Sequence, residues 1–391
     1  MATTPLFPVG AFHTESGVTY LHTAGEGLPP RAQHSRGFER YVTDKSQGAQ
    51  GRARIGAEVE KVRGLAAKLW SVQPDDVGFV CSVAEGISIL LESIDWREGD
   101  NVVLDPREFP SVAAPFALKA QRAKSGPVPE IRCADATGLA KAANSKTRLI
   151  AISHVSFLDG NRADLDYYRR VADGVGALLV VDYSQASGWC PIDASIADFA
   201  FGVAYKWLLG ATGTAIAYWN RSRQPNWQPV TSGWFSLTTG RVTSERPNWA
   251  TGALETRNDG MCFTRGNPSH PSIYVLGETL TFLAQWDAAK VEAHVQSLTE
   301  ALLEELERAG IAPSTPRPKE RHGASVCIDT VHADAIVGEL AKVGLYASGG
   351  LGRIRFSFHG YSKLGDVKRL MGVFPAIYTK YHHGKKGESK L

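Results

Sequence analysis

The sequence predicts an α/β fold: a large region built on a mostly parallel mixed sheet, followed by a smaller C-terminal α+β region. Three observations predict it. Short apolar segments alternate with longer segments of helical period up to about residue 285. Several of the short segments, such as Ala-Leu-Leu-Val-Val at 177–181, are apolar throughout rather than alternating, as strands covered on both faces are. A long amphipathic stretch then begins near Val291 and leads into a shorter series of strand and helix signals.

Taken in order, Ile55, Val59, Val62, Ala66 and Leu69 share one face of a helix. Strands are expected over 77–80, 102–104, 148–153, 177–181, 198–202 and 214–219. The long helix carries Val291, Val295, Leu298, Leu302 and Leu306 on one stripe, with Gly310 placed to stop it. Beyond a loop rich in Pro and charge at 313–321 come a strand at 326–328, a helix at 333–343, a strand at 354–358 and a final helix. The boundary between a large domain (15–285) and a small one (286–391) is placed just before the long helix, with residues 1–14 packing against the small domain.

The chain has 391 residues, 43% hydrophobic and 21% charged, the composition of a folded globular protein. Lys and Arg number 43 against 40 Asp and Glu, so the formal charge is +3, which leaves no electrostatic footprint for nucleic acid or an anionic membrane. Lys385, Lys386 and Lys390, and the pair His382-His383, read as a solvated tail. The five cysteines at 81, 133, 190, 262 and 327 include no Cys-x-x-Cys pair, so they read as reduced thiols of an intracellular protein, with neither a disulfide framework nor a metal site. No run reaches the ~18 apolar residues of a membrane span, and the N-terminus lacks the pattern of a secretory signal. A cytoplasmic protein is expected, or a peroxisomal one where the terminal Ser389-Lys390-Leu391 is read as an address. Walker, Gly-x-Gly-x-x-Gly, Gly-x-Ser-x-Gly and His-Glu-x-x-His motifs are all absent.

Chemistry concentrates in two neighbouring segments. The apolar strand at 177–181 delivers Asp182 at its carboxyl end, where open α/β sheets place ligands, and Gln185 follows three residues later. The strand at 198–202 leads to Tyr205-Lys206-Trp207-Leu208-Leu209. A lysine in so apolar a setting resists charging, and desolvation frees its amine as a nucleophile. Taken singly, Lys206 reads as a snorkelling surface lysine and Asp182 as a helix cap. Together they match what pyridoxal 5′-phosphate needs: a lysine for the Schiff base and an acid that keeps the pyridine nitrogen protonated. The phosphate needs amides at a helix start, which Ser82, Val83 and Ala84 supply after the strand at 77–80. The ring needs a flat partner, and Phe109 in Glu108-Phe109-Pro110-Ser111 is the candidate.

These segments resemble the class V aminotransferase family of pyridoxal phosphate enzymes, which holds cysteine desulfurases, selenocysteine lyases, kynureninases and isopenicillin N epimerase-like proteins. The likeness rests on residues 180–185 and 198–210, on Ser153-His154-Val155-Ser156 with Asp159-Gly160, on Phe263-Thr264-Arg265-Gly266-Asn267-Pro268, and on Arg355-Phe356-Ser357 with Tyr361. It runs in the family's order from about Tyr20 to Phe374. It implies fold type I, a homodimer with sites at the subunit interface, and an α-amino-acid substrate. His154 is implied to cross the cofactor ring, Tyr205 to lie near the phosphate, Asn267 to reach the phosphate of the neighbouring subunit, and Arg355 to hold the substrate carboxylate.

Departures narrow the expectation. Desulfurases of this family carry a nucleophilic cysteine shortly before the carboxylate arginine, whereas residues 344–352 contain none, with Cys262 and Cys327 read as core residues. Phe109 and Tyr205 stand where desulfurases have His, and Asn267 where Thr is usual. An aminotransferase or β-lyase that is not a persulfide-forming desulfurase is therefore expected. Epimerase-like and kynureninase-like reactions are the alternatives, and a non-catalytic amine sensor is the competing class.

Overall fold

Val, Leu, Ile and Ala dominate the central segments, and the computed structural model of the chain, which describes residues 3–123, 126–238, 248–250 and 252–382, buries them on both faces of a sheet. In chain order the strands are β1 (Thr19–Leu21), β2 (Val77–Val80), β3 (Asn101–Leu104), β4 (Glu130–Cys133), β5 (Thr147–Ser153), β6 (Leu178–Asp182), β7 (Phe199–Val203), β8 (Ala215–Trp219), β9 (Ser325–Asp329), β10 (Leu345–Ala347) and β11 (Arg353–Ser357). The helices are α1 (Glu39–Lys45), α2 (Gly48–Leu69), α3 (Val83–Glu92), α4 (Pro110–Arg122), α5 (Leu139–Ala142), α6 (Leu165–Val175), α7 (His270–Leu283), α8 (Ala288–Arg308), α9 (Ala333–Lys342), α10 (Leu364–Met371) and α11 (Phe374–His382).

Seven strands form one sheet in the order β2-β8-β7-β6-β5-β3-β4. β8 runs against both of its neighbours, and every other pair is parallel. The carboxyl ends of β2, β5, β6 and β7 therefore open at the same edge of the sheet, where ligands bind in such folds. Beneath them Asp198 is fully buried, and its carboxylate accepts from Leu179 N at 2.7 Å and from the Arg169 guanidinium at 2.6 Å. This ties β6 to the helix α6 that covers it.

β9 and β11 form a separate antiparallel pair in which Arg355 lies directly opposite Cys327. β1 pairs in parallel with β10, so a strand from the start of the chain completes structure made near its end. Phe7 packs edge-on against Phe282 and His359, and its amide donates to Gly360 O at 2.8 Å.

The expected strands all form, shifted by a residue at most at each end. β4 escaped notice because Glu130-Ile-Arg-Cys133 is an exposed edge strand without an apolar run, and β1 and β10 are three residues each. α8 starts at Ala288 because the Asp287 carboxylate accepts from Ala289 N and Lys290 N. Gly310, at φ 70°, lies just past its end. The final helix divides into α10 and α11, since Pro375 has no N–H to continue a helix through Gly372 and Val373. The basic tail and Ser389-Lys390-Leu391 lie outside the described residues. No helix among the described residues is long and apolar enough to cross a membrane.

Candidate active site

Lys206 follows β7 in a turn closed by Leu209 N donating to Lys206 O at 3.1 Å and Gly210 N donating to Ala204 O at 2.8 Å. Leu209 sits at φ 60°, the left-handed region that a branched side chain rarely adopts, so the surrounding contacts hold this turn against local strain. The lysine is 7% exposed. Its amine stands 5.2 Å from the centroid of the Phe109 ring and 5.7 Å from that of Tyr205. Burial pushes its pKa down to about 8; the Asp182 carboxylate opposes the shift, and the guanidinium groups of Arg355 and Arg353 add to it.

Asp182 ends β6, buried, with its Oδ1 accepting from Ser184 N at 2.8 Å. Burial raises its pKa, while the hydrogen bonds from Ser184 and the charge of Lys206 pull the other way. The Gln185 side chain uses both ends of its amide within the protein. Its Nε2 donates to Ala24 O at 3.0 Å, and its Oε1 accepts from Trp207 Nε1 at 2.9 Å. Gln185 thus binds the Lys206 turn to the segment after β1.

Ser82 caps α3, its hydroxyl accepting from Glu85 N at 3.2 Å, while Cys81 N donates to the Glu85 carboxylate at 2.6 Å. As the first residues of the helix, Val83 and Ala84 present amides that have no helical acceptor. The turn bearing Asn267 shares a cleft of about 130 Å³ with Cys81 and Glu85, and Asn267 itself is exposed, in contact with Arg52 at 3.5 Å.

Phe109 precedes α4 and meets Phe157 edge-on, centroids 5.0 Å apart. Arg355, on β11, is 6% exposed and donates from Nη1 to Phe157 O at 2.9 Å, while its Nε has no partner. Burial lowers its pKa to about 10, which leaves it charged at neutral pH. His154 stands apart from this group. Ser153, the last residue of β5, is the register partner of Asp182, while His154, in the bend that follows, packs edge-on against Tyr183 at 5.5 Å and faces Arg162. Its Nδ1 is buried without a partner, and burial lowers its pKa to about 3.

Two features escaped the sequence reading. The Glu108 carboxylate accepts from Phe109 N and Ser153 N, both at 2.7 Å, and from the Ser153 hydroxyl, fixing the Phe109 backbone to the end of β5. Burial raises its pKa to about 6. An acid directly before the proposed ring partner was the available signal. The segment from His22 to Gly27 also packs here. Ser357 Oγ accepts from Ala24 N at 3.0 Å, and Gly27 N donates to Tyr205 O at 2.9 Å. No local pattern marked it. Among the described residues no cluster suited to a metal ion occurs.

Comparison with known proteins places this arrangement. The family model described as Aminotransferase class-V matches residues 37–370. A probable cysteine desulfurase of Methanothermobacter thermautotrophicus is 22% identical over 367 residues, covering 85% of this chain and 87% of the relative. The apo structure of a cysteine desulfurase from Thermococcus onnurineus superposes with a TM-score of 0.82 at 19% identity, covering 92% and 94% of the two chains. A cystine C-S lyase in complex with its product cysteine persulfide gives 0.81 at 22% identity, covering 92% and 98%. The fold is that of the fold-type I pyridoxal phosphate enzymes, and the cofactor is pyridoxal 5′-phosphate.

The expectation that the protein stands apart from the cysteine desulfurases is corrected by these matches, since proteins of that name align with most of the chain. Residues 344–352 hold no cysteine, but the likeness is carried by the whole fold and does not hang on one side chain. Cys327 is indeed buried, but beside Arg355. Because the matching model takes in Asp182, Lys206 and Arg355 together, the chain belongs to the class-V aminotransferase family.

Proposed function

We propose that the protein is an aminotransferase or β-lyase acting on an α-amino acid, with Lys206 as its catalytic base. The observation that carries this reading is the buried Lys206 amine, which stands 5.2 Å from the Phe109 ring and whose pKa, lowered to about 8, feels the charges of Asp182 and Arg355. The site fits the cofactor: Lys206 to bond it, Asp182 to face its ring nitrogen, Phe109 to cover a ring face, and the Ser82 hydroxyl with the Val83 and Ala84 amides to receive its phosphate. When bound, pyridoxal 5′-phosphate supplies an aldehyde for the amine and a ring that accepts the electron pair released at the substrate Cα.

The protein's own residues do the rest. Arg355 holds the substrate carboxylate through the parallel donors of its guanidinium. Lys206 Nζ removes the Cα proton and would deliver it to a different carbon in transamination or to a departing β-substituent in elimination. The Phe109 and Tyr205 rings stand beside the buried amine and help to exclude water. Asp182, desolvated, acts on the ring nitrogen without competition from solvent. We read the working form as a homodimer in which the exposed Asn267 reaches the phosphate of the neighbouring subunit.

The test is borohydride reduction of the cofactor-loaded protein followed by peptide mapping, then a panel of amino acids with product analysis by mass. A pyridoxyl group on Lys206 and an oxo acid or β-elimination product are expected. Labelling of another lysine, or a panel without turnover, overturns the reading.

A further inference from the structure

β11 carries two buried arginines, not one. Arg353 and Arg355 are 4% and 6% exposed and stand two residues apart, so their side chains share a face of the strand. Both flank Phe157: the Arg353 guanidinium carbon lies 5.2 Å from its ring centroid, and Arg355 Nη1 donates to its carbonyl at 2.9 Å. Phe157 in turn meets Phe109, whose ring stands 5.2 Å from Lys206 Nζ. Phe157 and Phe109 thus link both guanidinium groups to the amine, and both act on its charge.

Neither arginine forms an ion pair with any described residue, and the Nε of each is buried without a partner. Asp159, an acid whose charge reaches Arg353, is already paired with Arg107 at 2.9 Å. Asp329, opposite Arg353 in the ladder, is exposed and forms no ion pair with it. Buried charges are normally paired, because desolvation is costly without a partner. One substrate carboxylate satisfies Arg355 and leaves Arg353 unanswered.

We propose that Arg353 binds a second carboxylate, so that the substrate is an α-amino acid whose side chain ends in an acid. This rests on the proposed function and adds the substrate's class. A guanidinium fork matches the two oxygens of a carboxylate, and in a dry site such a contact discriminates by about tenfold to a hundredfold.

The experiment measures binding of unreactive acids to the cofactor-loaded protein by calorimetry, comparing glutarate with pentanoate and succinate with butyrate. The native protein is expected to bind each dicarboxylate at least about tenfold more tightly than its monocarboxylate counterpart. In Arg353→Gln that ratio falls to about one to two, and in Arg353→Lys, which keeps the charge but not the fork, it lies between. Equal affinities in the native protein, or a ratio that survives Arg353→Gln, overturn the proposal. The native comparison stands even if a variant fails to fold. Failure here with Lys206 labelled by borohydride leaves the proposed function standing, whereas loss of that label removes the function itself.

Discussion

Gly27 and Lys206 approach so closely that a Cβ on the glycine would lie 2.1 Å from the lysine's carbonyl oxygen. The contact is backbone against backbone, since Gly27 N also donates to Tyr205 O. A residue from the start of the chain thus sets the position of the turn that presents the amine. Gly27→Ala should displace that turn, lowering stability by about 1–3 kcal/mol and kcat by at least about tenfold through misplacement of the amine. Denaturant unfolding and steady-state kinetics check this, and wild-type behaviour in both would show that the turn tolerates the shift.

The pH dependence of cofactor uptake should follow Lys206. Only the free amine reacts, and its pKa is lowered from 10.5 to about 8. The uptake rate should climb about tenfold per pH unit below 8 and level off above it, whereas an ordinary lysine would keep climbing to about pH 10. The same shift has a stability consequence. Between pH 8 and 10.5 the unfolded chain holds a proton that the folded one has released, so this group's contribution to stability grows as pH rises through that window. Stopped-flow absorbance from pH 6 to 10 measures the uptake.

Asp182→Asn should keep the cofactor yet lose turnover. An amide cannot hold a protonated pyridine nitrogen, and losing the charge-assisted contact costs on the order of 2–4 kcal/mol, roughly 30- to 1,000-fold in rate. Activity within about threefold of the native protein would make Asp182 a structural residue, through its bond to Ser184 N.

Arg355→Lys should cost about 2–5 kcal/mol in kcat/KM, because an ammonium cannot copy the two parallel donors of the guanidinium. Cofactor loading should be nearly unchanged, measured by absorbance after dialysis. Unaltered kcat/KM, or a native preference for simple amines over amino acids, would end the carboxylate assignment.

Much of this architecture is readable from local pattern because its cause is local. A strand buried on both faces must be apolar along its length, so β5, β6, β7 and β8 announce themselves. A lysine among Tyr, Trp and Leu, one strand after an acid at a strand end, is unusual enough to mark Asp182 and Lys206 as a pair. Other parts depend on which segments meet across the fold, and no periodicity encodes that. Gly27 reaches the lysine turn only because β1 joins β10 and the chain then crosses the edge of the sheet where the strands end. Glu108 matters because it bridges to Ser153, the register partner of Asp182. His154, one residue past the end of β5, packs against Tyr183 and faces Arg162, contacts that only the folded chain sets. Arg353 reads as any surface cation in the sequence; burial without a carboxylate partner, a property of the folded chain alone, is what gives its charge a consequence.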